Sequence, residues 1–193
     1  MQKSRIYTIK ELVDTLYLSQ HPERDSWADY LFEHHIYLVA EQSVLLARRF
    51  WWREDIVYTW ALLHDIADAT MSRFDVRHQS ECLSIAQDFL TRAGFSEDEM
   101  TIVHDILVHH SCRDILPQTQ EGRIMATADA IVHLTSDFYA HALTTKLQWW
   151  AMRKDVSNWA LPKIERDFYT KIFFDQVREE ARGDYEKVKN LFN

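Results

Sequence analysis

Three glycines and three prolines in 193 residues are very few for a chain that has to turn often. Average usage, about 7% and 5%, would place roughly 23 of them in a protein this long. Tight turns draw on glycine for positive φ and on proline for a preset φ. Sandwiches, barrels and repeated strand–helix units, all rich in turns, are therefore disfavoured. The chain is 47% hydrophobic and 27% charged, a balance that supports a packed core and argues against long disorder. The expectation is an all-α protein, one domain over residues 1–193. It divides into a helical core at about 27–143 and a C-terminal helical flank at 145–193.

The net charge of −8 argues against a broad basic face, so no nucleic-acid polymer is expected as a partner. A small phosphorylated substrate stays compatible with that charge, because a bound metal inverts the local field. Cys82 and Cys112 make no disulfide framework and lack zinc-site spacing, which suits reduced thiols in the cytoplasm. The segment Met1-Gln2-Lys3-Ser4-Arg5-Ile6-Tyr7 has no apolar leader character, and the uncharged runs are too short to span a bilayer. A cytoplasmic protein without a membrane partner is the expectation.

Helix signals then divide the chain. Thr8-Ile9-Lys10-Glu11 reads as a capping box for a helix to about Ser19, which His21-Pro22 ends. Ser26 opens a long helical region reaching about Trp51, with Leu38, Val39, Leu45 and Leu46 at helical spacing and His35 extending that stripe. The next helix spans about 55–67, with Ile56, Trp60, Leu63, His64 and Ala67 on one face. Another runs over about 77–93 and stops at Gly94. Ser96-Glu97-Asp98-Glu99 caps a helix to about His110, residues 111–121 form a loop, and a helix over about 122–143 carries Asp129. In the tail, Pro162 suits a first helical position of a helix to about Arg182, which Gly183 closes before a short final helix. Trp149, Trp150 and Trp159 give this tail a surface for self-association as a homo-oligomer.

The sharpest local feature is Ala61-Leu62-Leu63-His64-Asp65-Ile66-Ala67-Asp68. A charged aspartate flanked by leucine and isoleucine is costly to bury without compensation. A divalent cation compensates it, favouring the ionised carboxylate and the neutral imidazole together. A partly exposed His-Asp pair at a helix end is the plainer reading of the same residues. His35 on an apolar face reads equally as a hydrogen-bonded core residue, and Asp129 in Ala126-Thr127-Ala128-Asp129-Ala130 as an ion-pair or cap partner. No one of them decides alone; their order and spacing do.

That order, His35…His64-Asp65…Asp129 on successive helices, resembles the HD-domain superfamily of metal-dependent phosphohydrolases. The stretch His35-Ile36-Tyr37-Leu38-Val39-Ala40 is similar to the first-histidine helix of that family. Ile106-Leu107-Val108-His109-His110 is similar to its later histidine element, and Ala126–Ala130 to the segment with its last aspartate. The resemblance covers about residues 30–140. Ala67 stands where the family commonly has glycine after the central signature.

The resemblance implies a helical bundle of the HD-domain type whose metal is held by His35, His64, Asp65 and Asp129. Imidazole and carboxylate ligands suit Mn, Fe, Co, Ni or Zn, with Mg also admissible. A second metal, bound in some members through further histidines, would draw here on His78, His109 and His110. The resemblance also implies Asp68 as the general base that orients or deprotonates the attacking water. Phosphate clamps are sought among Arg73, Arg77 and Arg113, which lie on loops or helix starts. His133, one turn past Asp129, is read as outer support for that carboxylate. The expected function is hydrolysis of a small phosphate ester, a nucleotide by class, by metal-activated water. Two alternatives stay open: a di-iron oxygenase of related helical fold, and a non-catalytic nucleotide-binding regulatory module.

Overall fold

A computed structural model describes residues 2–149 and 152–193, and every regular element in them is helical. Helix α1 (Gln2–Leu18) buries Ile9, Val13 and Tyr17 at steps of four. It begins six residues before the expected cap at Thr8, because Gln2–Tyr7 continue the same helical register. The expected long helix after Ser26 is three pieces: α2 (Ala28–Leu31), a π-turn at Phe32–Ile36, and α3 (Tyr37–Phe50). Asp25, not Ser26, organises its start. The Asp25 carboxylate accepts Trp27 N–H at 2.9 Å and Arg73 N–H at 2.8 Å.

Helix α4 (Glu54–Leu63) follows, with a 3-10 turn at Ile66–Ala69, then α5 (His78–Arg92) and α6 (Glu97–His109). Gly94 takes φ +77° at the end of α5, where a left-handed residue is required. The capping box of α6 forms as expected, Ser96 accepting Glu99 N–H while the Glu99 carboxylate accepts Ser96 N–H. Helix α7 (Gln120–Thr135) is the axis of the molecule, buried along almost its whole length from Gly122 to Leu134. A helix apolar all round belongs in a core, and Asp129 and His133 ride on it.

The helix expected to continue to Leu143 ends instead at Thr135. Ser136 is extended, and its hydroxyl accepts Phe138 N–H at 3.3 Å, which starts α8 (Phe138–Trp149) on a new axis. Helix α9 (Arg153–Arg166) holds Pro162 well inside, not in its first turn, and a π-turn at Asp167–Lys171 follows. Helices α10 (Asp175–Glu180) and α11 (Arg182–Asn190) meet at Ala181, so Gly183 lies within α11 and terminates nothing. Trp150 lies outside the described residues, as does the side chain of Trp149.

One apolar cluster joins these elements, from Ile9 of α1 to Phe192. Helix α3 packs on α4 and α7, and the Asp167–Lys171 turn packs on α7. Thr127 stitches that last contact: its hydroxyl donates to Lys171 O and accepts from Phe173 N–H, both at 3.1 Å. The C-terminal flank is thus built into the core beside Asp129. None of the described helices is long and apolar enough to cross a membrane.

Candidate metal centre

Two irregularities aim the candidate ligands. His35 sits in the π-turn, whose extra residue per turn re-aims its side chain relative to a continuous α-helix. Helix α4 unwinds after Leu63, with Asp65 at φ −120°, so His64 and Asp65 escape the 100° divergence of neighbours on a helix. The carbonyls freed by that unwinding find side-chain donors. Ala61 O takes His64 Nδ1 at 2.7 Å, Asp65 O takes Tyr17 OH at 3.0 Å, and Leu63 O takes Cys82 Sγ at 3.4 Å. Asp129 arrives on rigid α7.

The result is a convergence of lone pairs. His35 Nε2 lies 3.2 Å from His64 Nε2 and 3.1 Å from Asp129 Oδ1, and His64 Nε2 lies 3.8 Å from Asp129 Oδ1. Because His64 Nδ1 donates to Ala61 O, its Nε2 presents a lone pair inward. Asp129 Oδ1 is buried and accepts no hydrogen bond. Metal–ligand bonds of about 2.0–2.2 Å place neighbouring ligand atoms about 3–3.6 Å apart. Two of the three separations match that spacing and the third, 3.8 Å, is slightly longer, and the orphaned oxygen is what a cation would satisfy, so these residues fit a divalent metal. Asp65 Oδ2 stands 3.7 Å from His64 Nε2, beside the trio and outside its closest grouping.

Protonation favours the same reading. Burial holds the His35 pKa below its ordinary value. Burial alone would raise that of Asp129, but His133 and Lys171 more than reverse this and hold it well below the carboxylate range. Neutral imidazole and ionised carboxylate are the metal-binding forms.

Behind Asp129 runs a buried ionic chain that sequence reasoning missed. The Lys171 ammonium holds Asp129 Oδ2 and lies 3.9 Å from Asp167 Oδ1. Asp167 Oδ2 accepts Lys163 Nζ at 2.8 Å and Tyr139 OH at 2.6 Å. His133 Nδ1 lies between Lys163 Nζ at 3.1 Å and Asp167 Oδ2 at 3.2 Å, and its Nε2 stands 3.4 Å from Asp129 Oδ1. His133 thus stands next to that carboxylate, one turn along α7. The available signal was Lys163, Asp167 and Lys171 at steps of four, beside Ile164, Phe168 and Ile172 at the same steps. Read alone, such a charged row is a solvated helix face.

On the other side, Asp68 is fully buried between Arg73, which holds its Oδ2, and His78 Nε2, 2.9 Å from its Oδ1. Arg73 also stands 3.7 Å from Asp65 Oδ2 and 3.9 Å from Asp25 Oδ1. Burial raises the Asp68 pKa. Burial opposes a charge on His78, yet its bond to Asp68 outweighs this and its pKa is raised.

A cavity of about 620 Å³ opens over the centre. His64, Asp65, Asp129, Arg73, His78, His110 and Arg113 line it, whereas Asp68, His109 and Arg77 do not. Arg77 is exposed and chelates Asp75 through Nε and Nη2, at 3.0 and 2.7 Å. His109 turns to Asp105, 2.8 Å away. The His110 ring stands 5.6 Å from that of His64, its Nδ1 donates to Leu107 O, and burial lowers its pKa to about 4. Among the described residues, His78, His109 and His110 do not gather into a second ligand set.

The HD domain's family model matches residues 32–133, more than half of the chain, from the π-turn of His35 to His133. No curated protein and no solved structure matches the chain. The ligand order read along the sequence and the match of that whole segment agree, and the chain belongs to the HD-domain family.

Proposed function

We propose that this protein is a metal-dependent phosphohydrolase that cleaves a small phosphate ester, a nucleotide by class, with water. The observation that carries this reading is the convergence of His35 Nε2, His64 Nε2 and Asp129 Oδ1, with His64 and Asp129 lining a cavity that has basic side chains on its walls. His35, His64 and Asp129, with Asp65 beside them, would hold a divalent cation, which would supply Lewis acidity and lower the pKa of water.

The chain's own residues divide the remaining work. Arg73, fixed by Asp68 and Asp25, offers its guanidinium to phosphoryl oxygens at the cavity wall. Asp68 positions His78 from behind, accepting its Nε2–H, and in the neutral ring Nδ1 keeps the lone pair that takes the proton of the attacking water. The water oxygen forms the new bond to phosphorus, the ester P–O bond breaks, and the departing oxygen takes a proton from solvent. The free thiols Cys82 and Cys112 fit a reducing compartment, in keeping with a cytoplasmic enzyme.

The test is phosphate release from a panel of nucleotides and sugar phosphates, with elemental analysis of the same samples. Chelation abolishes turnover, and His64→Ala or Asp65→Ala removes metal and turnover together. Undiminished hydrolysis by metal-stripped protein contradicts the reading.

A further inference from the structure

The cavity reaches well beyond the metal centre, and its far wall comes from the C-terminal flank. The cations on its walls are of two kinds. Arg73, Lys163 and Lys171 are already matched by Asp68, Asp167 and Asp129. Arg113, Lys146 and Arg166 have no carboxylate partner among the described residues.

Toward the end of the flank, by contrast, Arg178 pairs with Asp175, Arg182 with Glu179, Lys187 with Asp184 and Lys189 with Glu165. In a chain of net charge −8, carboxylates are in surplus, so unmatched cations collected in one cavity stand out. Lys146 and Arg166 are half-buried, and Arg166 Nε is buried with no hydrogen-bond partner. A half-buried cation without a partner is unfavourable, and an anion entering the cavity relieves that. Lys146 lies over the Trp159 ring, 4.4 Å from its centre, which holds the ammonium at the wall.

The single phosphoryl group of a monoester, seated at the metal centre, leaves these charges unmatched. We propose that Lys146 and Arg166, with Arg113 lining the same cavity, form a second anion subsite, so that the substrate is a nucleoside di- or triphosphate whose further phosphoryl groups lie along the flank wall. This rests on the phosphohydrolase reading above. At the mouth, Phe74 (84% exposed) and Val76 (99% exposed) line the same cavity from the loop after Arg73. They give a base an apolar surface to cover while the phosphate chain follows the cations inward.

The experiment is calorimetric titration of the full chain, freed of metal by chelation, with imidodiphosphate and with orthophosphate. The wild type binds imidodiphosphate about tenfold more tightly or better, as an additional charged pair predicts, and the difference shrinks with salt. Lys146→Gln combined with Arg166→Gln lowers imidodiphosphate affinity about tenfold and leaves orthophosphate affinity within about twofold. Lys146→Arg retains the preference. Equal wild-type affinity for the two anions, or an unchanged preference in the folded double variant, overturns the proposal. The wild-type comparison decides the matter even if the double variant does not fold. Phosphate release from a nucleotide by the metal-loaded wild type separates the two ideas. Release without an imidodiphosphate preference sinks the subsite alone, and a preference without any release sinks the hydrolase reading alone.

Discussion

Asp129 can stay ionised in the core because Lys171 holds one of its oxygens while the other faces the imidazoles. Buried ion pairs add little net stability, but removing one partner leaves an uncompensated charge, at a cost of roughly 3–5 kcal/mol. Lys171→Met is therefore expected to lower the stability of the metal-free protein by about that amount in urea denaturation. Added divalent metal restores part of the loss, since an ion that binds the folded state stabilises it. Unchanged metal-free stability contradicts the compensating role. The cluster of His35, His64 and Asp129 was legible in the sequence through the order and spacing of these residues on successive helices. Lys163, Asp167 and Lys171 were not. A charged row on a helix is ordinarily solvated, and only the packing of the Asp167–Lys171 turn on α7 buries this one.

Helix ends show the same division between local and tertiary causes. The Ser96 box and the Gly94 stop are local chemistry, and both were legible in the sequence. The unwinding after Leu63 depends on distant partners such as Tyr17 and Cys82, which no local signal announces. Two substitutions test element geometry in opposite directions. A Cβ at residue 122 would stand 2.7 Å from Pro117 Cβ, so Gly122→Ala has to displace the loop that seats α7. Overpacking of this kind costs about 1–3 kcal/mol, and the melting temperature should fall accordingly. Trp51 ends α3 at φ +62° with its side chain 94% exposed. Trp51→Gly relieves the left-handed strain and loses little packing, for an expected gain of roughly 0.5–1 kcal/mol. A destabilised Trp51→Gly variant shows that the ring contributes more than its exposure suggests.

Across the whole molecule, core and flank share one apolar cluster, and the flank supplies the charge that holds Asp129. The all-α class followed from scarce turn residues, whereas this sharing of a core did not, because nothing in the tail's composition says where it packs. Stability should form a plateau in pH with two declining limbs. Glu99 is bound by Arg5, Arg53 and the Ser96 backbone; burial alone would raise its pKa, but these partners lower it from 4.5 to about 2. Fewer protons are then bound in the folded state, so its contribution is full above pH 4.5 and is lost as pH falls toward about 2. Burial raises the Cys82 thiol from 9.0 to about 12, so that contribution is lost as pH rises from 9.0 toward about 12. Urea titrations of Glu99→Gln across the acid limb should show a shallower decline than the wild type, and identical slopes would remove Glu99 from the account. The central claim, that residues distant in sequence meet around one cation, is tested most directly by equilibrium dialysis of the purified protein against Mn or Zn, with elemental analysis of the retained ion. The account predicts about one ion per chain in the wild type, and loss of that ion in His35→Ala, His64→Ala and Asp129→Ala variants that remain folded. Full retention of metal by those three variants would contradict it.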